Sequence, residues 1–188
     1  MESVPGTLAA SRPELLEISD LVVDFDLETM SRRPVNRAEV VERLNRVGDR
    51  GAARIVAAMP VNGGVLDSDV VDRLLIRVHC EMQRLSEEFQ HGRRVSEFLH
   101  SLLAAFDQIG LSQPYRIVDI GCGTGYVIRW LAARAGFRQD VELIGVDFNE
   151  ALVREAQRLS AAEQLGCRFE VINAFDMARP ATIYLSTG

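Results

Sequence analysis

The 188-residue chain contains no lysine, three cysteines and few aromatic residues (6%). Cys80, Cys122 and Cys167 are odd in number and lack the C-x-x-C spacing, which argues against a disulfide framework and against a zinc site. We therefore expect no bound metal. No apolar run approaches the ~20 residues that cross a bilayer, and the N-terminus lacks a basic segment followed by an apolar one. We expect a cytoplasmic protein with no membrane partner.

Because lysine is absent, all of the positive charge comes from arginine, and the formal net charge is −6. The arginines are dispersed, so the chain has no basic stripe of the kind that binds nucleic acid. Hydrophobic residues make up 47% of the chain and charged residues 26%, which is typical of a globular domain with a packed core.

Up to about residue 110 the pattern predicts helices. Asn36 can cap a first helix, with Glu39 at its third position as in a capping box. A second helix over Gly51–Met59 ends at Pro60 and the turn-forming Asn62-Gly63-Gly64. We treat residues 1–110 as a helical N-terminal region.

The strongest helical signal in this region consists of two apolar stripes with steps of three and four residues. The first begins after Asp67 or Ser68, and the second begins after His91-Gly92. The stripes are Val71, Leu74, Leu75, Val78, Met82, Leu85 and Phe89, and then Val95, Phe98, Leu99, Leu102, Leu103 and Phe106. Each stripe needs a packing partner, which predicts core positions. The alternative is that the two helices form a cap over a ligand cleft.

From Tyr115 onward the pattern alternates between strands and helices. The predicted strands are Tyr115–Ile120, Val141–Val146, Phe169–Ile172 and Ala181–Leu185, and the predicted helices between them are Thr124–Ala135 and Glu150–Gln164. Near-continuous apolar strands joined through helices by short loops are typical of right-handed βαβ units in a parallel sheet. Residues 111–188 therefore predict an α/β fold, a Rossmann-like doubly wound parallel sheet of about four strands.

A glycine-rich turn follows the first of these strands. In Asp119-Ile120-Gly121-Cys122-Gly123-Thr124-Gly125 the glycines allow a ligand to approach the backbone, and the helix start that follows favours an anionic group. In the dinucleotide fingerprint G-x-G-x-x-G the third glycine would fall at position 126, where this chain has the bulky Tyr126. This difference disfavours NAD as the ligand.

Two acidic residues further limit the kind of ligand that this turn can bind. The Asp119 carboxylate would repel a diphosphate but would attract an ammonium group. Asp147, at the end of the second strand, can accept hydrogen bonds from ribose hydroxyls. These residues indicate a ligand with a ribose, a cationic amine and a carboxylate but no diphosphate, which S-adenosylmethionine fits and NAD fits less well.

The segments VDIGCGTGY and LIGVDFNEALVREA resemble the first two motifs of the class I S-adenosylmethionine-dependent methyltransferases, and Val171–Asp176 resembles their third-strand motif. The resemblance implies that Asp147 binds the ribose and that Phe148 packs against the adenine. It places Asn173 where the family often has an aspartate that contacts the adenine amino group, with Asp176 a less suitable substitute. The resemblance also implies that the methionine part is held by Asp119, Gly121, Cys122, Gly123 and Gly125. The last residue that it implies in cofactor binding is Ala174.

For several other residues near these motifs the sequence allows two interpretations. Cys122 also suits a tight turn as a small residue, and Asn149 suits a helix cap. Tyr126 either closes over the ligand or packs. His91, Arg93 and Arg94 reach the cofactor or substrate, or else form a solvated turn. No catalytic residue is assigned.

The resemblance implies methyl transfer to a small-molecule acceptor. Two alternatives are a non-catalytic adenosyl-binding or assembly module and an NAD-dependent oxidoreductase. The family's sheet has further strands that find no counterpart after the fourth strand here. We therefore expect a fragment with little activity alone, or a sheet that a partner chain or a dimer completes.

Overall fold

The computed structural model describes residues 18–26, 28–177 and 180–187. The first 17 residues of the predicted helical region therefore lie outside the described residues. The helices are α1 (Ile18–Val22), α2 (Arg37–Arg46), α3 (Arg50–Ala57), α4 (Ser68–Glu88), α5 (His91–Gln108), α6 (Tyr126–Arg134) and α7 (Glu150–Ala162). The strands are β1 (Asp24–Asp26), β2 (Ser31–Arg33), β3 (Val61–Asn62), β4 (Val65–Leu66), β5 (Tyr115–Ile120), β6 (Val141–Asp147), β7 (Arg168–Val171) and β8 (Ile183–Leu185).

The chain divides into two compact units. Of the described residues, the smaller unit comprises 18–24 and 33–66, and the larger comprises 25–32 and those from Asp67 onward. None of the described helices is long and apolar enough to cross a membrane.

In the smaller unit α2 and α3 pack against each other, and both predicted helices are confirmed. The Asn36 side chain caps α2 by accepting a hydrogen bond from the Ala38 N–H. The prediction of helices alone in this region is wrong, because β3 and β4 form a short antiparallel hairpin. Its turn, Gly63-Gly64, has positive φ angles at both residues, which suits a tight two-residue hairpin. Two-residue strands are too short to produce an alternating pattern in the sequence.

The larger unit contains a four-stranded parallel sheet in the order β7-β6-β5-β8. The chain runs outward from β5 through β6 to β7, and then returns to place β8 on the other side of β5. This reversal confirms the predicted Rossmann-like doubly wound sheet, and its switch point lies at the carboxyl end of β5, where ligands bind in such folds. The structure shortens the predicted fourth strand to Ile183–Leu185.

One face of this sheet carries the main core, to which α5, α6 and α7 contribute. Phe169 of β7 belongs to this core and lies against the glycine turn. A Cβ on Gly125 would collide with the Phe169 ring and lie 3.2 Å from Ala156 Cβ, and a Cβ on Gly145 would also meet this ring. Gly125 therefore provides the close helix–strand packing that the dinucleotide fingerprint assigns to a glycine one position later.

The apolar stripe of α4 is only partly core. Val71 and Leu75 are buried, but the prediction is wrong for Val78, Met82, Leu85 and Phe89, which are 44–66% exposed. A 21-residue helix is about 30 Å long and extends past the core that covers its first half. Its second half runs alongside the glycine turn.

A buried guanidinium joins three elements of the larger unit. Arg129 of α6 is 5% exposed and donates to the Thr124 carbonyl (3.3 Å) and to Gln83 Oε1 of α4 (2.8 Å). It also forms an ion pair with Glu163, which follows α7. Burying a charge costs free energy unless it is paired and hydrogen-bonded, and all three partners serve this purpose. Arg129 thereby holds α4 and α7 in position around the glycine turn.

We predict that Gly125→Ala destabilises the protein more than Gly136→Ala. Both glycines have positive φ, +74° and +64°, so each alanine costs about 1–2 kcal/mol of backbone strain. Only Gly125 faces Phe169, whereas nothing lies within 4 Å of a Cβ on Gly136, so overpacking adds about 1–3 kcal/mol at Gly125 alone. Denaturant unfolding of both variants measures the difference, and equal losses would show that the close contact with Phe169 contributes nothing.

Candidate functional site

The carboxyl ends of β5, β6 and β7 lie side by side at one edge of the sheet. The strands are in parallel register, with Asp119 beside Gly145 and Asp147 beside Val171. Two of the residues that the sequence predicted as cofactor contacts, Asp119 and Asp147, lie at the carboxyl ends of β5 and β6, and the others lie in the turns that follow the strands. The structure brings these residues to one edge, as expected for parallel strands.

Asp147 connects two of these turns. It is 7% exposed, and its carboxylate oxygens accept hydrogen bonds from the Gly123 N–H and the Asn149 N–H, both at 2.9 Å. A carboxylate can accept about four hydrogen bonds, so two backbone bonds leave capacity for a ligand. The Asn149 side chain caps α7 by accepting from Ala151 and Leu152, which is the cap that the sequence suggested.

Asp119 is a second buried carboxylate, 1% exposed. Its pKa is raised from the usual 3.8 to about 6, chiefly by burial and also by the negative charge of Asp147, although the Thr187 hydroxyl, 2.9–3.0 Å from both carboxylate oxygens, lowers it. A pKa raised by burial means that the ionised carboxylate has lost the stabilisation that water would give it. The site therefore favours a cation next to Asp119.

The glycine turn forms one wall of a cavity of about 190 Å³. The opposite wall comes from α4 and the start of α5. The lining residues are His79, Met82, Gln83, Ser86, His91, Gly121, Cys122, Gly123, Thr124, Tyr126, Val127 and Thr187. Gly125, at the start of α6, has no side-chain cap, so the first N–H groups of this helix remain available to an anion.

The Cys122 thiol is buried at the base of the turn. Burial raises its pKa, as do Asp147 and Asp119, so the thiol stays protonated. A protonated, buried thiol is a poor nucleophile, and Cys122 acts as a small packing residue of the turn.

Phe148 follows Asp147 and is 44% exposed. Its ring meets the Phe25 ring edge to face, with centroids 5.2 Å apart and an interplanar angle of 80°. Phe25 is the central residue of β1 and belongs to the larger unit. The sequence reasoning missed this contact because a three-residue strand has no recognisable pattern.

Asn173 follows β7 and caps the 3₁₀ turn Ala174–Asp176. Its Oδ1 atom accepts a hydrogen bond from the Phe175 N–H (3.1 Å), and this is the same oxygen that was expected to face the adenine amino group. Ala174 lies exposed at the start of this turn.

Of the three polar residues considered at the start of α5, the structure places only His91 in the cavity wall. Arg93 is exposed and bonds to Glu97 (2.8 Å) and Gln90 (3.4 Å), and Arg94 is exposed. His79 lines the cavity although sequence reasoning assigned it no ligand. The described residues contain no group of three or more His, Cys, Asp or Glu side chains that could hold a metal ion.

A sequence profile of the "methyltransferase domain" family matches residues 117–184, which include β5, the glycine turn, Asp147 and β8. No curated protein matches the sequence. Among solved structures, this chain is similar to a protein from a study of the conversion of a disulfide bond into a thioacetal group during echinomycin biosynthesis. The identity is 32% over 40% of this chain and 29% of that chain, with a TM-score of 0.30.

Two further solved structures are similar over larger parts of this chain. The plantazolicin methyltransferase BamL, solved with S-adenosylhomocysteine and a desmethyl analogue, is 25% identical over 54% of this chain and 36% of its own, with a TM-score of 0.38. Magnesium protoporphyrin IX methyltransferase from Synechocystis PCC 6803 is 20% identical over 79% of this chain and 57% of its own, with a TM-score of 0.33.

This chain thus covers less than two thirds of the length of each of these proteins. Because their TM-scores are below 0.5, these structures give no further support for the fold, which the strand order establishes. The comparison with the family depends on the profile match, which covers the strand–turn–helix units that carry Asp119, the glycine turn and Asp147. Residues 117–184 match the methyltransferase-domain family, and this match supports the class I, S-adenosylmethionine-dependent methyltransferase domain that the motifs predicted.

Proposed function

We propose that the chain binds S-adenosylmethionine at the carboxyl edge of its sheet and takes part in methyl transfer to a small-molecule acceptor. The observation that carries this proposal is the pair of buried carboxylates, Asp119 and Asp147, on either side of an uncapped glycine turn. One of them has a pKa that burial raises, and the other ties the turn to β6.

The residues present fit the charged end of this cofactor. The buried carboxylate of Asp119 suits an ammonium group, and the N–H groups at the start of α6 suit a carboxylate. A diphosphate would meet two carboxylates at the same place and would be repelled. This distribution of charge supports S-adenosylmethionine over NAD as the ligand.

The residues at the end of β6 fit the adenosyl end. Asp147 retains lone pairs for ribose hydroxyls, and the exposed ring of Phe148 offers a face or edge to adenine. Asn173 and Ala174 lie at the end of the neighbouring strand, where the adenine edge would reach.

The bound cofactor supplies an electrophilic methyl group on a sulfonium centre. The protein would hold the acceptor and the methyl group in line and exclude water. This positioning can supply much of the rate enhancement of such a displacement. The helices α4 and α5 stand opposite the glycine turn, where they would cover the reacting groups. We therefore assign to them the role of a cap.

Asp147→Asn is expected to weaken S-adenosylhomocysteine binding by about tenfold to a hundredfold, because a neutral amide accepts weaker hydrogen bonds than a carboxylate. Isothermal titration calorimetry on the full chain measures the effect, with NADH as a second titrant that we expect not to bind. Asp176→Asn is the matched control, since Asp176 is exposed in the 3₁₀ turn.

Thermal unfolding of the same variants separates binding from folding, because Asp147 also holds the Gly123 N–H. Wild-type protein that binds NADH and not S-adenosylhomocysteine would refute the proposed function. An Asp147→Asn variant that is folded and binds as tightly as Asp176→Asn would refute the role of Asp147 alone.

The pKa of about 6 for Asp119 predicts a pH-dependent affinity. The carboxylate pairs with the ligand ammonium only when ionised, and its ionised fraction falls about tenfold between pH 7 and pH 5. Affinity for S-adenosylhomocysteine should therefore fall about tenfold over this range, with proton release on binding near pH 5.5. Calorimetry in two buffers of different ionisation enthalpy measures both.

Asp119→Asn removes this titration while leaving Asp147 and His79 in place. Its affinity should be lower and nearly independent of pH between 5 and 7. A variant that keeps the wild-type slope would show that another group titrates.

A further inference from the structure

We propose that Phe25 is a positioning residue of the adenosyl site. Phe25 lies in β1, outside the motifs that carry the cofactor contacts, and its ring holds the Phe148 ring in the orientation in which Phe148 packs against adenine. The inference rests on the proposed function. It adds to the site a short pair of strands, β1 and β2, that the sequence did not connect with the cofactor.

The backbone on both sides of Phe148 is fixed without a ligand. Asp147 Oδ1 accepts a hydrogen bond from the Asn149 N–H (2.9 Å), and this bond spans Phe148. Asp147 is also held by the Gly123 N–H, and the Asn149 side chain caps α7. The freedom that Phe148 retains is therefore the rotation of its side chain, which is 44% exposed.

Phe25 restricts this rotation. The two rings meet edge to face, with centroids 5.2 Å apart and an interplanar angle of 80°, which is a favoured geometry of aromatic pairs. A side chain that is already held in place loses less conformational entropy when a ligand packs against it. The part of the Phe148 ring that stays exposed can then receive the adenine without a change of rotamer.

Two contacts hold the strand pair that carries Phe25. Asp26 Oδ1 accepts two backbone hydrogen bonds of 3.0 Å within the turn after β1. Arg32 of β2 forms an ion pair with Asp72 of α4, and both side chains are mostly buried, so solvent screens this pair less than an exposed one. The strand pair is thus attached to the helix that stands opposite the glycine turn.

Phe25 lies close to both strands that lead to the proposed adenine contacts. Phe25, Asn149 and Val171 line one cavity of about 450 Å³. Val171 is the last residue of β7, two positions before Asn173, and Asn149 directly follows Phe148. The strand pair therefore places an aromatic ring beside both turns that the adenine would use.

The test compares two ligands by calorimetry on the full chain. S-adenosylhomocysteine has the adenine, and S-ribosylhomocysteine has the ribose, the sulfur and the amino-acid end without it. Phe25→Leu should lower the affinity for S-adenosylhomocysteine by about threefold to tenfold and leave that for S-ribosylhomocysteine within twofold, because only adenine packs against Phe148. Phe98→Leu, at an exposed phenylalanine of α5, is the matched control and should change neither affinity.

A double-mutant cycle with S-adenosylhomocysteine shows whether Phe25 acts through Phe148. Phe148→Leu should itself lower the affinity, and in that background Phe25→Leu should cause a further loss of less than twofold. A merely structural role of Phe25 would give the same loss in both backgrounds, and this result would overturn the inference, as would a Phe148→Leu variant without loss of affinity. Phe25→Tyr keeps the ring, and the open cavity beside it leaves room for a hydroxyl, so this variant should bind within twofold of wild type.

Thermal unfolding identifies the variants that are folded, and Asp72→Asn keeps the inference testable if Phe25→Leu is not. This change weakens the attachment of β2 to α4 and leaves both rings in place, so it should lower the affinity for S-adenosylhomocysteine by about twofold to fivefold. In that case, wild-type affinity of Asp72→Asn would overturn the inference. Wild-type protein that binds S-ribosylhomocysteine as tightly as S-adenosylhomocysteine would overturn it while leaving the rest of the cofactor site intact, and binding of neither would refute the proposed function itself.

Discussion

The candidate site depends on one hydrogen-bonded group, the carboxylate of Asp147. It accepts from the backbone of the glycine turn after β5 and from the backbone at the start of α7, so it ties two consecutive βα turns together. Hydrogen bonds to a carboxylate are stronger than those between neutral groups, and a buried carboxylate must find such donors. Because both donors are backbone N–H groups, the shape of the turn and the position of Asp147 determine each other.

Two further contacts hold the same turn from other directions. Phe169 packs against Gly125 from β7, and the Arg129 guanidinium reaches the Thr124 carbonyl from α6 while it also bonds to α4 and α7. A turn held by strands and helices on several sides loses little entropy when a ligand binds, and such preorganisation favours affinity. The glycines thus serve packing within the fold as well as access for a ligand.

The site contains a group that would be costly without a ligand. Asp119 is a buried carboxylate whose pKa is raised. Perturbed groups of this kind cluster at functional sites, because a ligand completes interactions that the protein alone leaves open. The opposite wall comes from the half of α4 whose apolar side chains the core does not cover.

The sequence by itself determined the elements and motifs whose pattern is local. The strand–turn–helix order, the caps at Asn36 and Asn149 and the family of the α/β part follow from short-range spacing of apolar residues, glycines and acids. Sequence could not show that α4 extends beyond the core that covers its first half. Nor could it show that His79 stands over Gly123 or that Arg129 reaches Gln83 and Glu163, because these contacts join residues 34 to 46 positions apart in the chain. Only the tertiary structure decided them, since a side chain's burial and its partners depend on how distant segments pack and not on its neighbours in sequence.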